Sequence, residues 1–268
     1  MKVYARFSRP GDERLRRRLE RLAAAPGLDL APLPPLPRGE EDDATPTLHI
    51  TRSGLYLTLG AAKLFFHPGM ALLRVMRARR GEYDRFLSLA DVRSGDTVLD
   101  ATAGLGADAL VAAWAVGERG RVVGTECAPL VFALLRDGLE NFSTDWPGRG
   151  CGAKGESLAE LGRAAERVQA HRAEHTEFLR ALPDGAVDIV CFDPMFRSTV
   201  AEAAAMQALK LWSSPVALGA EAVAEACRVA RRRVVLKERR GSGEFARLGF
   251  HLPAQGGSKV CYGVIKRD

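Results

Sequence analysis

The chain has 268 residues, 39 basic against 33 acidic side chains for a net charge of +6, and 47% hydrophobic residues. That length buries a substantial core, so one main α/β domain with an appendage is expected, and the composition excludes a mostly disordered chain. No run approaches the roughly 18 apolar residues of a membrane span. The N-terminal MKVYARFSRPGDERLRRRLE has no apolar signal segment, so a cytoplasmic protein without membrane association is expected. The five cysteines are widely spaced with no C-x-x-C pair and read as reduced thiols. A mild positive charge permits a nucleic-acid partner without requiring one.

Residues 1–62 read as a small N-terminal α/β module. VYARF is strand-like, and residues 11–25 form a helix in which Arg14, Arg16, Arg17, Arg18 and Arg21 alternate with Leu15, Leu19 and Leu22. A solvated arginine face is favoured there over an RNA contact. APLPPLPRGEEDDATP is loop chemistry, since proline lacks a backbone donor and restricts its neighbour. LHIT and LYLTLG then alternate as strands. Residues 63–95 read as a helical connector, with Pro68 suited to a first helical turn. MALLRVMRARR places Leu72, Leu73 and Met76 on one face, with Arg74, Arg77 and Arg80 largely elsewhere. Phe65, Phe66 and His67 fit either a flap over an active-site mouth, with His67 at the substrate, or a hydrophobic staple.

From 96 to 268 strand-like and helix-like segments alternate. TVLDATA, RVVGTE, RVQAH, VDIVCF, RRVVLK and KVCYGVI read as strands, and ADALVAAWAV, PLVFALLRDGLENF, EHTEFLRAL and residues 199–230 as helices. This pattern means parallel strands joined by helical crossovers, hence a doubly wound, mostly parallel, seven-stranded Rossmann-like sheet with the N-terminal α/β extension. WPGRGCGAKGES reads as a mobile insertion.

The segment Asp100-Ala101-Thr102-Ala103-Gly104-Leu105-Gly106 puts glycines at the carboxyl end of the first of these strands, where ligands of open α/β sheets bind. Gly104, Gly106 and Ala109 also satisfy the dinucleotide pattern, and Glu126 at the second strand's end fits ribose recognition in either case. Asp100 and Asp108 weigh against a pyrophosphate at the helix start, where an anion would otherwise be welcome. Two acids suit a ligand carrying an ammonium and a sulfonium, so S-adenosylmethionine is favoured over a nicotinamide or flavin dinucleotide, which stays open.

At the end of the fourth strand stands Asp193-Pro194-Met195-Phe196, which resembles the [D/N]-P-P-[F/Y] signature of methyltransferases acting on exocyclic amines of nucleobases. An exocyclic amine is a poor nucleophile because its lone pair is delocalised into the ring. The Asp193 carboxylate and a carbonyl near Pro194 can accept its two N–H bonds and aim the nitrogen at a methyl carbon, while Phe196 stacks on the base. A turn in which Asp193 caps the next helix is the plainer alternative.

VLDATAGLGADA, TECAPLV, FDPMF and VVLK together resemble the RsmJ family, class I methyltransferases of guanine N2 in small-subunit ribosomal RNA, over roughly residues 96–265. FFHPGMALLR, RVVLKERRGSGEFARLGF and YGVIKRD are closer still to a bacterial RsmJ-like branch that resembles the whole chain. The resemblance implies S-adenosylmethionine as cofactor, and RNA or the small ribosomal subunit as partner. It implies that Ala107 and Asp108 border the methionine moiety, Glu126 and Cys127 the ribose and adenine edge, and Glu174 and His175 the adenine. It puts Asp193 between cofactor and base. A methyltransferase of small molecules or proteins, or a binding module without turnover, is the rival reading.

Lys237, Arg239 and Arg240 follow the fifth strand on the edge that carries both motifs, and with Arg197 they are the expected RNA-phosphate contacts. His171 and His175 have a zinc-like spacing but lack a third ligand, so no metal is expected.

Overall fold

The computed structural model describes residues 2–7, 11–23, 29–32, 46–146, 152–194, 212, 217–253 and 259–267. Two sheets organise them. The first uses β1 (Lys2–Phe7), β2 (Asp29–Pro32), β3 (Thr47–Thr51), β4 (Gly54–Leu59) and β5 (Ala62–Phe65), with α1 (Glu13–Ala23) between β1 and β2. Its order is β2-β1-β3-β4-β5, parallel at β1 and antiparallel from β3 onward. Alternation along the strands sends Leu48, Ile50, Leu55, Leu57 and Leu64 into one core, against Leu15 and Leu22 of α1.

The connector carries α2 (Gly69–Arg79) and α3 (Arg85–Ala90). Asp84 caps α3 by accepting the Leu87 N–H at 3.0 Å. The apolar face of α2 differs from the expected one. Ala71 and Val75, one turn apart, are buried, whereas Leu73 is exposed. Small side chains let α2 lie close to its neighbours, which outweighs the larger apolar surface of leucine.

The second sheet contains β6 (Thr97–Asp100), β7 (Arg121–Glu126), β8 (Val168–Arg172), β9 (Val187–Phe192), β10 (Ala230–Arg239) and β11 (Val260–Lys266). Its order is β11-β10-β9-β6-β7-β8, with only β11 antiparallel. Successive residues face opposite layers. Val98, Val122 and Ile189 pack with α3 and with α4 (Ala107–Val116), while Leu99, Val190 and Leu236 pack on the other side. That other layer is built from α8 (His175–Ala181), α9 (Ala220–Val229) and α10 (Glu244–Arg247). The doubly wound α/β reading therefore holds, with one change. The described residues form six strands, and in place of a seventh His251 makes a single antiparallel bridge to Val264 on the outer side of β11.

Between β7 and β8 lie α5 (Pro129–Glu140), α6 (Phe142–Asp145) and α7 (Ala153–Ala165). The expected insertion over WPGRGCGAKGES is thus in part helical, since Ala153 to Ser157 open α7; residues 147–151 are outside the described set. α7 hides from sequence reading because it buries Gly155, Ser157, Gly162 and Ala164 rather than a stripe of large residues.

α5 joins the two halves. Leu130, Val131 and Leu134 enter the core of the N-terminal sheet, and Leu135 and Leu139 enter that of the second. Phe66 packs against Gly138, where an added Cβ would stand 2.1 Å from its ring, so Phe66 is anchored in the core, while Phe65 and His67 on either side of it are exposed. Arg18 departs from the solvated reading of α1. It is buried, its Nε donates to Asp137 Oδ1 at 2.6 Å, and its Nη2 donates to Asp145 Oδ2 at 2.6 Å and also to Asp137 Oδ2. No helix among the described residues is long and apolar enough to cross a membrane.

Candidate functional site

The strand order reverses between β6 and β9, so the loops leaving these neighbours diverge and open a crevice at their carboxyl ends. Both sequence motifs lie there. Ala101 N–H donates to the Cys191 carbonyl at 2.9 Å, and Asp193 N–H donates to Thr102 Oγ1 at 2.6 Å, which ties the glycine loop to the start of the Asp193 turn. Ala103 N–H donates to the Thr125 carbonyl at 2.9 Å and holds the loop over β7. Gly106 turns into α4 with φ 80°, and a Cβ there would come within 2.6 Å of Leu135, so glycine answers two demands at once.

Glu126 ends β7 inside this loop. Its Oε2 accepts the Gly104 N–H at 3.1 Å and its Oε1 the Ala128 N–H at 2.8 Å, while burial raises its pKa above the usual carboxylate range. Cys127 is half-buried beside it, and burial, then the Glu126 charge, raises the thiol. Glu174 caps α8 by accepting the Glu177 N–H at 3.0 Å, and His175 Nδ1 sits 3.1 Å from Glu174 Oε1. Burial lowers the His175 pKa, and its ring meets Phe192 edge-on at 6.0 Å.

The charged groups divide unevenly. Arg74, on α2, holds Asp84 with two bonds of 2.7 and 3.0 Å and donates to Asp108 Oδ1 through Nη1. Lys237 Nζ lies 3.2 Å from Asp108 Oδ2 and 2.5 Å from Asp193 Oδ2. A chain of alternating charge therefore runs Asp84, Arg74, Asp108, Lys237, Asp193. Burial opposes the charge of Asp108, yet Lys237 and Arg74 together hold its pKa below the ordinary value. Asp193 is raised by burial against the pull of Lys237, and the two carboxylates keep Lys237 protonated. Asp100 has no ion pair among the described residues. It accepts the Thr102 N–H at 3.3 Å, and burial, then the nearby Asp108 charge, pushes its pKa up to about 8.

Two expectations change here. Asp108 is compensated by two cations, so the acid open to a cationic ligand is Asp100. Lys237 points inward onto two carboxylates instead of outward to phosphate. Arg239 and Arg240 continue the strand toward the surface, their backbone N–H groups bonding Glu238 Oε1 and the Lys259 carbonyl. Among the described residues, His67 makes no hydrogen bond, ion pair or ring contact with the Asp193 cluster and is held by other neighbours. It accepts the Gly69 N–H at 2.9 Å and meets Trp146 edge-on at 4.7 Å. Met195, Phe196 and Arg197 fall outside the described residues. Sequence reasoning missed Arg74 and Asp84; the signal was present in the FFHPGMALLR segment, but Arg74 was placed off the packed face. His171 packs on Phe178 at 5.3 Å, and no group of three His, Cys, Asp or Glu among the described residues can hold a metal.

The donor set fits S-adenosylmethionine. An uncompensated carboxyl at Asp100 suits an ammonium or sulfonium, and Glu126 keeps acceptor capacity for ribose hydroxyls after its two backbone bonds.

A family model described as "Putative SAM-dependent methyltransferase" matches residues 66–248. The Bacillus subtilis protein YpiP is 39% identical over 215 residues, covering 80% of this chain and 79% of that one. The ribosomal RNA small subunit methyltransferase J of Escherichia coli is 38% identical over 146 residues, covering 52% of this chain and 51% of that enzyme. TrmN from Thermus thermophilus, a solved structure, aligns with 99% of this chain and 70% of its own at 19% identity and a TM-score of 0.44.

Proposed function

The chain belongs to that family of SAM-dependent methyltransferases, and from this premise we propose that it methylates an exocyclic amine of RNA, guanine N2 of small-subunit ribosomal RNA. The single observation that carries the reading is the convergence of Asp193 and Asp100 at the reversal point of the sheet, an acceptor for an amine next to a carboxyl, without an ion pair among the described residues, that a cation can ionise. The relatives named ribosomal RNA methyltransferases support the choice of RNA, and the likeness of Asp193-Pro194-Met195-Phe196 to the base-amine signature supports the choice of amine.

S-adenosylmethionine supplies an electrophilic methyl on a sulfonium. Asp100 faces its positive charge, Glu126 holds the ribose, and Ala107, Cys127, Glu174 and His175 border the rest. Lys237 secures Oδ2 of Asp193 and leaves Oδ1 to accept one N–H of the amine, while a carbonyl near Pro194 accepts the other. These bonds localise the nitrogen lone pair and point it along the transfer line. The proton released after attack passes to Asp193 or to water. Phe196 stacks on the base, and Arg197, Arg239 and Arg240 meet RNA phosphates.

Labelled cofactor incubated with ribosomal subunits and with total RNA tests this, followed by mapping of the modified nucleotide. Label on guanine N2 of small-subunit RNA is expected. Label in protein with none in RNA would refute the substrate and favour a protein methyltransferase.

A further inference from the structure

Exposed apolar side chains are unevenly spread over the described residues. Phe65, Met70, Leu73 and Tyr83 are exposed within one short stretch, and Leu252 alone of that group lies elsewhere. Scattered single residues of this kind are ordinary, whereas a cluster marks a contact surface. The same stretch is one-sided in charge. Residues 61–81 contain Lys63, Arg74, Arg77, Arg79 and Arg80 and no Asp or Glu. Arg74 and Arg79 are occupied, the first in the site and the second with Glu156 and Glu160. Arg77 and Arg80 share Glu82, so two exposed guanidiniums have one carboxylate between them.

The aromatic groups form a continuous strip. Tyr56 and Phe65 are cross-strand partners in β4 and β5, and Lys63 Nζ lies 4.0 Å from the Tyr56 ring centre and 5.7 Å from that of Phe65. Phe65 meets His67 at 5.9 Å, and His67 meets Trp146. Met70 sits one turn before Arg74 on the same helical stripe, so the strip ends where α2 reaches into the charged site through Asp108.

A purely apolar patch would suit a protein, but this one is interleaved with cations that outnumber its one exposed acid, Glu82. Aromatic faces stack on any base, and nearby cations neutralise phosphates. We propose that the β5–α2 surface docks single-stranded RNA flanking the target nucleotide. Bases stack on Phe65 and His67 and pass over Met70 and Leu73, while Lys63, Arg77 and Arg80 meet phosphates. This rests on the RNA reading above and moves the main docking surface away from the end of β10.

Fluorescence anisotropy of the full chain with a labelled oligouridylate of about 12 nucleotides tests it. Phe65→Ala with Met70→Ser should weaken binding roughly tenfold. Lys63→Gln with Arg77→Gln should reduce the slope of log affinity against log salt by about 1.4. S-adenosylmethionine affinity, read by calorimetry, should stay at the wild-type value in each variant. Met70→Ser alone changes an exposed side chain and should still weaken RNA binding several-fold, which covers failure of the double variant to fold. Undiminished RNA affinity in these variants, in a protein that does methylate RNA, overturns the docking surface alone. A wild-type chain that binds the cofactor but neither binds nor methylates RNA overturns this surface together with the reading beneath it.

Discussion

Two clusters in this molecule share a formula, one cation between two aspartates, and differ in what surrounds them. Arg18 with Asp137 and Asp145 joins α1 to α5 and α6, and all three side chains are nearly sealed, at 2%, 6% and 3% exposure. Lys237 with Asp108 and Asp193 spans the carboxyl edge of the second sheet, where Lys237 keeps 25% of its side-chain exposure and Asp193 34%. The first uses the planar fork of arginine, which binds Asp137 through two nitrogens and fixes one geometry. The second uses a lysine, a point charge on a flexible stem that releases one oxygen of Asp193 to another donor. The sealed cluster holds parts of the chain together, and the open one is available for chemistry.

Breaking the sealed cluster should have the largest effect. Arg18→Ala leaves Asp137 buried without its counter-ion and Asp145 with only the distant Arg14, and should cost about 3–5 kcal/mol in urea unfolding. Arg18→Met combined with Asp137→Leu and Asp145→Leu should recover most of that loss, because the charges leave together. A loss below about 1 kcal/mol for Arg18→Ala would show that the cluster bears no such burden. The open cluster should respond the other way. Asp193→Ala should lower methyl transfer about 10²- to 10³-fold while the unfolding midpoint stays near wild type. Full turnover in that variant would remove Asp193 from the reaction.

Smaller effects sharpen the contrast. Glu126→Ala should weaken S-adenosylmethionine binding by about 1–3 kcal/mol in calorimetry, and unchanged affinity would refute its ribose role. Asp100, at about pH 8, adds a pH dependence. Its folded pKa lies above the unfolded value, so the carboxyl favours the fold most at low pH, and that contribution is lost as pH rises from about 4 through 8. Cofactor binding should follow the opposite trend. The ionised carboxylate faces the cation, so affinity should rise by up to about tenfold per unit below pH 8 and level off above it, with a proton released on binding. Titrations in two buffers of different ionisation enthalpy would detect that proton, and flat affinity from pH 6 to 8 would exclude Asp100 from the cofactor contact.

The glycine loop, the end of β7 and the Asp193 turn were readable because each is a local run whose residue types state their own conformational and chemical demands. Partner choice was not readable. Arg74 reaches Asp108 and Lys237 reaches Asp193 across the fold, and an arginine on a helix looks the same in sequence whether it ends in water or on a buried carboxylate. Arg18 illustrates the same limit, since its neighbours Arg14, Arg16, Arg17 and Arg21 remain at the surface. α7 was missed for a different reason. Its buried face has one large residue, Leu161, among glycine, serine and alanine, whose fit depends on neighbours such as Trp114, which donates to Glu160 at 2.7 Å.

Arg74 has a consequence for how this protein can be cut or inherited. The sheet that carries both motifs starts at Thr97, yet one of the two cations that compensate Asp108 comes from before it, as does the ring of Phe66 that fills the hollow over Gly138. A cassette excised at the first strand would keep Lys237 beside Asp108 but lose Arg74, and would carry a helix with a gap. The smallest transplantable unit therefore begins upstream, at the segment that also bears the exposed aromatic strip, so a graft that preserves the electrostatics brings that surface with it.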